Sequence, residues 1–212
     1  MPHVWQWNTP RKLGNYLKQE YHMKHFFNFI LTIAAVLVLS GCYSRTIIPE
    51  EVLQVSAHAR IRTAYNIWYA DPDAIDAENI QKGKIIPFGT EVVILSATES
   101  KITFRIKERI FTIIYRADRF MMPTEEFLKQ LFTTKTAADL AAGLTPITYE
   151  KLRRGIVEPG MSRKNVITAY GPPVRSRTPN LLSDTWVYWL DRVKTKRVIF
   201  KNDKVLEEIV LE

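Results

Sequence analysis

The sequence predicts an α+β protein in which a small β-rich domain is followed by two helices and three antiparallel strands. Three observations favour this class. Apolar and polar residues alternate in short runs between 91 and 115, as they do in half-buried strands. Helix start and stop signals bracket two segments between 147 and 171. Three more strand-like runs follow, and the last two are separated by the two-residue turn Asn202-Asp203.

An apolar run precedes these elements and is typical of an export signal. The run from Phe26 to Leu39 follows the basic Lys24 and is 14 residues long. A helix needs about 20 apolar residues to span a bilayer, so a signal peptide over residues 1–41 is favoured over a permanent membrane helix. Met23 would open a compact signal by itself, so both a start at Met23 and a translated extension stay open.

The end of this run, Leu39-Ser40-Gly41-Cys42, resembles the lipobox of bacterial lipoproteins: an aliphatic residue, two small residues and a Cys. The resemblance implies cleavage before Cys42, a diacylglycerol thioether on its sulfur and a second acylation, for example by palmitate, on its new amine. Two or more fatty chains make membrane anchoring stable. The alternative is a chance apolar run followed by a structural Cys.

Two features of the surrounding sequence bear on this anchor. Cys42 is the one Cys of the chain, so an internal disulfide is excluded. Tyr43, rather than Asp, follows the Cys. In enterobacterial lipoproteins, which this segment resembles, that favours the outer membrane over the inner membrane. We therefore expect a lipid-anchored protein of the bacterial cell envelope.

The mature chain begins with a predicted tether over 42–55 and continues with a β-rich domain over 56–120. Strands are predicted at 91–95, 102–106 and 110–115, joined by tight turns. Short strands with short connections suggest a small barrel or a strongly bent sheet. The phrase from Gly83 to Thr90 resembles SH3-like bacterial domains.

A helix and linker are predicted over 121–146, and a second folded segment over 147–212. Thr124 is a candidate N-cap, followed by two acidic residues that suit the helix dipole. In the second segment, helices are predicted at 149–157 and 163–170. Strands follow at 184–190, 196–201 and 204–210.

The segment from about 147 to 210 resembles the SmpA/OmlA family of small outer-membrane lipoproteins, which includes BamE. The motif residues, in family order, are Gly160, Met161, Ser162, Val166, Gly171, Pro172, Trp186, Tyr188 and Phe200. The resemblance implies two helices on a three-stranded antiparallel sheet and a role in outer-membrane assembly or maintenance. A β-rich domain in front departs from the family pattern, so the fold carries over better than the role.

Positive charge is concentrated at the C-terminal end. The chain carries +8 in total, and residues 151–212 hold 13 Lys and Arg against 7 Asp and Glu. A candidate contact surface consists of Arg175, Arg177, Arg192, Lys194, Lys196 and Arg197. Each cation near an anionic membrane surface contributes about 1 kcal/mol, so anionic lipid or an acidic protein are candidate partners. A solvated rim is the alternative, and nucleic acid is not expected for an exported protein.

Other residues argue against catalysis. Trp186 and Tyr188 lie on one face of the predicted strand and Trp189 lies on the other. These aromatic residues form either a binding surface or part of the core. The acidic stretch from Asp71 to Glu78 lacks the glycine and distal Glu of a calcium loop. His58 is the one His after the signal, too few for a zinc site or for most nucleophile relays. We therefore expect no catalytic residue, metal or cofactor.

These observations favour a non-enzymatic binding or scaffold lipoprotein, held at the membrane by Cys42 and contacting an envelope protein or anionic lipid. The alternative is a cell-envelope enzyme or cell-wall-binding protein with an SH3-like targeting domain. A cleft with two facing carboxylates would favour that alternative.

Overall fold

The computed structural model describes residues 45–116, 120–173 and 175–212. The predicted signal peptide, the start at Met23 and the lipobox up to Cys42 lie outside the described residues. Residues 44–212 form one compact unit. Within the described ranges, no helix combines the length and apolar character needed to cross a membrane.

Strands dominate the described residues. They are β1 (Thr46–Ile47), β2 (Ile61–Thr63), β3 (Ile67–Tyr69), β4 (Ile75–Asp76), β5 (Lys84–Ile86), β6 (Glu91–Thr98), β7 (Lys101–Ile106), β8 (Arg109–Ile114), β9 (Phe132–Thr133), β10 (Thr185–Trp189), β11 (Thr195–Lys201) and β12 (Lys204–Leu211). The helices described are short: α1 (Pro49–Leu53), α2 (Thr124–Leu131), α3 (Ala137–Ala141), α4 (Pro146–Arg153) and α5 (Arg163–Tyr170).

The largest sheet is a curled half-barrel with the strand order β4-β8-β7-β6-β2-β9, and β1 pairs with the same edge of β6 as β2. The alternation in β7 explains its position: Ile102 and Phe104 are fully buried, whereas Arg105 is exposed. The pairs β6–β7 and β7–β8 are antiparallel, but β4 joins β8 in parallel. The sheet is therefore mixed.

Helix α2 and the residues before it cover the concave face of this sheet. Phe127, Leu128 and Leu131 of α2 are buried in the same core as the inward residues of β7 and β8. The Tyr115 hydroxyl donates a hydrogen bond of 2.7 Å to the carbonyl of Met122. Helix packing on one face of a sheet buries the apolar stripe that the sequence shows in α2.

The N-terminal end of the described chain is part of the sheet. Ile47 in β1 is buried and lies opposite Ala97 of β6, while Thr46 lies opposite Thr98. Helix α1 then packs near α2 and β6. The strand β1 therefore lies within the segment 42–55 that the sequence assigned to the tether.

The second half contains α4 and α5 packed on the three-stranded antiparallel sheet β10-β11-β12. Ser162 and Asn165 form a reciprocal capping box at the start of α5, and Gly171 ends it at a φ of 78°. The predicted hairpin turn at Asn202-Asp203 is confirmed, and both residues have positive φ.

The predicted fold class is nevertheless wrong. The described chain is mostly strand, and it consists of a curled mixed sheet with five short helices rather than an SH3-like domain and a separate two-helix, three-stranded module. The core around α4, α5 and β10–β12 also contains Phe88, which comes from the segment between β5 and β6. The C-terminal elements therefore do not complete their core by themselves.

Two buried asparagines join the halves of the chain. The Asn66 Nδ2 donates to the carbonyls of Leu152 at 2.7 Å and Ala169 at 3.1 Å, and its Oδ1 accepts from the Phe88 amide at 2.8 Å. Asn79 donates to the Tyr170 carbonyl at 2.7 Å. Buried amide side chains require such partners. These bonds explain why the two halves pack as one unit.

Candidate functional site

A pocket of about 260 Å³ lies where residues of the first half, the α2 region and the loop after α5 meet. Its described lining is mainly apolar. The lining residues are Tyr65, Ala77, Asn79, Phe120, Met122, Phe127, Gln130, Pro172, Pro173, Arg175, Thr178, Pro179 and Leu181. Pockets of this kind, apolar with a few oriented polar groups, are typical ligand or side-chain binding sites.

The end of α5 fixes one wall. Gly171 has a φ of 78°, and a Cβ at this position would lie 2.9 Å from both Asn79 Nδ2 and the Tyr65 ring. Glycine therefore permits both the left-handed turn and the close approach. Pro172 and Pro173 follow at once and limit the backbone freedom of the wall. Burial raises the pKa of Tyr65 well above its usual value, so this hydroxyl stays neutral.

Polar groups also line the pocket, and one of them, Thr178, is buried. Arg175 forms a 2.6 Å ion pair with Glu126, and Thr178 accepts a 3.0 Å hydrogen bond from the Val187 amide. Burial, with a smaller contribution from the Glu126 charge, raises the pKa of Tyr115 to about 12. Among the described lining residues there is no carboxylate, imidazole or thiol. The arrangement is suited to holding an apolar group beside a guanidinium.

A wider polar cleft lies beside the acidic stretch and includes Asp76, Glu78, Arg116, Arg177 and Asp191 among its walls. Its charges have both signs, so it lacks the single-sign potential that would favour one ion. Among the described residues no group of three or more His, Cys, Asp or Glu side chains is placed to hold a metal.

The acidic stretch itself forms local turns. The Asp71 carboxylate accepts from the Asp73 amide, and the Asp76 carboxylate accepts from the Glu78 amide, both at 2.9 Å. These are Asx turns, in which an aspartate satisfies its own backbone two residues on.

The six predicted basic contact residues lie in different environments, although Arg177 and Arg192 line the same polar cleft. Arg175 is paired with Glu126 at the pocket, and Arg177 lies over the Trp189 ring at 5.1 Å. Lys194 forms an ion pair with Glu212. Arg192 and Arg197 carry no ion pair within the described ranges, and Arg197 points to the outer face of the three-stranded sheet. Only part of the predicted cluster is thus free for a partner.

The side chain of Lys196 contacts other residues of the protein more than solvent. Its side chain is largely buried, and its Nζ lies 3.0 Å from the Tyr170 hydroxyl and 3.6 Å from a Glu208 carboxylate oxygen. Burial lowers the pKa of Lys196, and the Glu208 charge opposes that shift. Burial, assisted by Glu208, also raises the pKa of Tyr170 well above its usual value. This network leaves Lys196 poorly placed to contact a membrane.

The predicted aromatic residues divide between two faces. Trp186, Tyr188 and Phe200 are buried against α4 and α5, and the Trp186 and Phe200 rings meet edge to face at 4.7 Å. Trp189 lies on the other face and is partly exposed. The first three therefore pack the core rather than form a binding surface.

Several of the family motif residues hold the C-terminal helices and strands together. The Gly160 amide donates to the Val205 carbonyl, and the Val205 amide donates to the Met161 carbonyl, both at 2.8 Å. These bonds attach the start of α5 to β12. Val166 is fully buried beneath it. Of the motif, Pro172 alone lines the pocket.

Most pocket residues were missed by sequence reasoning. Among the lining residues, the sequence predicted Arg175 as a contact residue and Pro172 as a family-motif residue. Nothing local indicates that Tyr65, Ala77 and Leu181 converge, because they are separated by up to 116 positions and meet only through the tertiary fold.

No family model, curated protein or solved structure matches this chain. The resemblance to the SmpA/OmlA family depends on the order of its motifs and stays a prediction. The lipidation site at Cys42 likewise stays a prediction.

Proposed function

We propose that this protein is a lipid-anchored envelope protein, favouring the outer membrane, that acts as a binding or scaffold module. The observation that carries the proposal is the order of sequence features: an apolar run, then the sequence Leu39-Ser40-Gly41-Cys42, with the strand β1 following at Thr46–Ile47. The thiol that would carry lipid thus precedes β1 by four residues.

The short spacing supports a role close to a membrane. Four residue steps separate Cys42 from Thr46, and an extended chain advances at most about 3.6 Å per residue. The strand β1 would then lie within about 14 Å of the lipidated residue. A module held at this distance meets partners in or at the bilayer surface before it meets partners far from it.

The pocket supports a binding role. Its volume of about 260 Å³ is below the roughly 300–1,000 Å³ of typical small-molecule sites. It is large enough for one bulky apolar side chain. Side chains that fill such pockets dominate the affinity of many protein interfaces. We therefore propose that the pocket takes an apolar side chain of a protein partner, beside the ion pair of Arg175 and Glu126.

The anchor is tested by mass spectrometry of the mature N-terminus together with membrane fractionation. The wild type should begin at Cys42, carry fatty chains and sediment with outer membranes. Cys42→Ser should leave the precursor uncleaved and without lipid. Ser40→Ala keeps a small residue before the cleavage site and is the matched control, so it should be processed normally. Identical mass and sedimentation of the wild type and Cys42→Ser would contradict the proposal.

The pocket is tested by two tryptophan substitutions at adjacent positions. Leu181 lines the pocket and is 45% exposed, whereas Leu182 is 79% exposed and is not part of the lining. Leu181→Trp should fill the mouth and lower recovery of a partner from detergent-solubilised membranes at least tenfold, about 1.4 kcal/mol. Leu182→Trp should leave recovery unchanged. Equal recovery with both variants would remove the pocket from the proposal.

A further inference from the structure

The outer face of the curled sheet carries an unusual set of side chains. The outward positions of β7 and β8 are Lys101, Thr103, Arg105, Ile110, Thr112 and Ile114. These positions include two cations, two aliphatic residues and two hydroxyls, and no carboxylate. The neighbouring strand β6 adds Val93 and Leu95, which lies in a bulge.

The aliphatic residues on this face are exposed. Val93 is 50% exposed, Leu95 46%, Ile110 48% and Ile114 39%. One exposed aliphatic residue is ordinary in a folded protein, but several on one sheet face indicate a surface that contacts something apolar. We call this set, together with Lys101 and Arg105, the outer sheet face.

The register brings the outer sheet face close to the chain end that leads to Cys42. Thr46 pairs with Thr98 at the end of β6, and Lys101 pairs with Ile114 just across the turn. Arg45, one residue nearer to Cys42, forms a 3.4 Å ion pair with Glu125. The described chain therefore begins at the edge of the sheet, where Thr46 borders the outer sheet face and Arg45 reaches α2 on the opposite face.

Charge on the outer sheet face suits an anionic surface. Lys101 and Arg105 are both exposed and have no carboxylate partner within the described ranges. Two carboxylates border the face: Glu91 on β6 is paired with Arg62 at 3.4 Å, and Asp76 on β4 lies beside Ile114 and accepts a hydrogen bond from the Glu78 amide at 2.9 Å. Cations beside exposed aliphatic residues are typical of proteins that rest on anionic bilayers.

We propose that the outer sheet face docks on the bilayer that holds the lipid anchor, with its cations at anionic head groups and its aliphatic side chains at the edge of the acyl region. This inference rests on the proposed anchoring at Cys42. The occupant is the membrane surface rather than a second copy or another protein, because the face combines exposed aliphatic residues with two cations that have no ion pair within the described ranges. The lipidated residue would also lie within about 14 Å of β1, at the edge of the same sheet.

The test uses the full-length, lipidated protein in vesicles of equal parts phosphatidylglycerol and phosphatidylcholine. Because Cys42 is the one Cys and is consumed by lipid, Ile110→Cys provides a unique thiol for an environment-sensitive dye. Lipids bearing a quencher in the bilayer should quench the dye at position 110. Ile209→Cys lies on the outer face of the three-stranded sheet and is the matched control, which should stay unquenched.

Charge reversal distinguishes docking through the outer sheet face from docking through the C-terminal cations. Each cation near an anionic surface contributes about fivefold to binding, so Lys101→Glu with Arg105→Glu, which removes both cations and adds two anions, should weaken the docking equilibrium by more than about 25-fold. Arg192→Glu with Arg197→Glu changes the net charge equally and should leave quenching at position 110 intact. If the second pair removed quenching and the first did not, the proposal would be overturned in favour of the C-terminal cations.

Failure of docking and failure of anchoring give different results. An unquenched dye at position 110 on a protein that still sediments with vesicles would overturn the docking and leave the anchor standing. Crosslinking of position 110 to a second copy or to another protein would also overturn it. A wild-type mass without fatty chains would instead refute the anchor at Cys42.

Discussion

Replacing Asn66 with alanine should strongly destabilise the protein, although the side chain does not line the pocket. The Asn66 amide satisfies the Leu152 carbonyl, the Ala169 carbonyl and the Phe88 amide, which come from three separate segments. Asn66 is fully buried. Its removal leaves three backbone groups without these partners in a region that water does not reach directly.

The magnitude follows from those three bonds. A typical hydrogen bond contributes about 1 kcal/mol net, and a buried group left without a partner costs about 1–3 kcal/mol. Partial rescue by a water molecule reduces the sum, so we expect Asn66→Ala to lower the free energy of unfolding by about 4 kcal/mol. For a domain of this size, that corresponds to a fall in Tm of about 8–16 °C.

Urea unfolding of the detergent-solubilised protein, followed by circular dichroism, measures this change. Asn180→Ala is the matched control, because that exposed side chain accepts one 2.8 Å bond from the Leu182 amide and should cost less than about 1 kcal/mol. Hydrogen exchange at the Phe88 amide should accelerate in Asn66→Ala alone. A loss under about 1 kcal/mol with unchanged exchange would refute the idea that Asn66 joins the two halves.

Three further outcomes are expected. Gly155→Ala should destabilise by about 2 kcal/mol in thermal unfolding, because φ is +68° and a Cβ would overlap the Trp68 ring; a neutral result would contradict the close packing. Arg163→Ala should cost about 2 kcal/mol, since its guanidinium lies 4.3 Å from the centre of a buried ring and donates to loop carbonyls. Lys164→Ala on the same helix should change urea stability by less than about 0.5 kcal/mol, and equal losses would argue against this role. Tyr115 has a pKa raised from about 10 to about 12, so its contribution is complete below pH 10 and is lost as the pH rises toward 12. A pH titration of Tyr115→Phe should therefore show a shallower alkaline decline than the wild type.

Local signals in the sequence predicted many elements correctly. The alternation around Ile102 and Phe104 identified β7, and the Ser162 and Gly171 signals identified both ends of α5. These features depend on residues within one turn or strand, where spacing and backbone preference determine the outcome. The sequence could therefore predict the elements but not how they share cores.

The errors concern contacts between distant segments. The class was wrong because Phe88 contributes to the C-terminal core and because β4 joins β8 in parallel, and neither contact has a local signature. An isolated Asn such as Asn66 is also typical of a turn or an exposed position. Its buried role depends on carbonyls 86 and 103 positions away. The pocket was missed for the same reason.

The sequence distance across the Asn66 bonds has a consequence for folding order. Loop-closure entropy delays contacts between remote segments, so the neighbouring pairings β6–β7 and β7–β8 can form first, whereas the link to α4 and α5 must wait for the later part of the chain. A chain that crosses a membrane from its N-terminus would therefore emerge with Asn66 and Phe88 lacking their partners until the last third arrives. A truncated product that stops before α4 would expose these groups and be a preferred substrate for proteases.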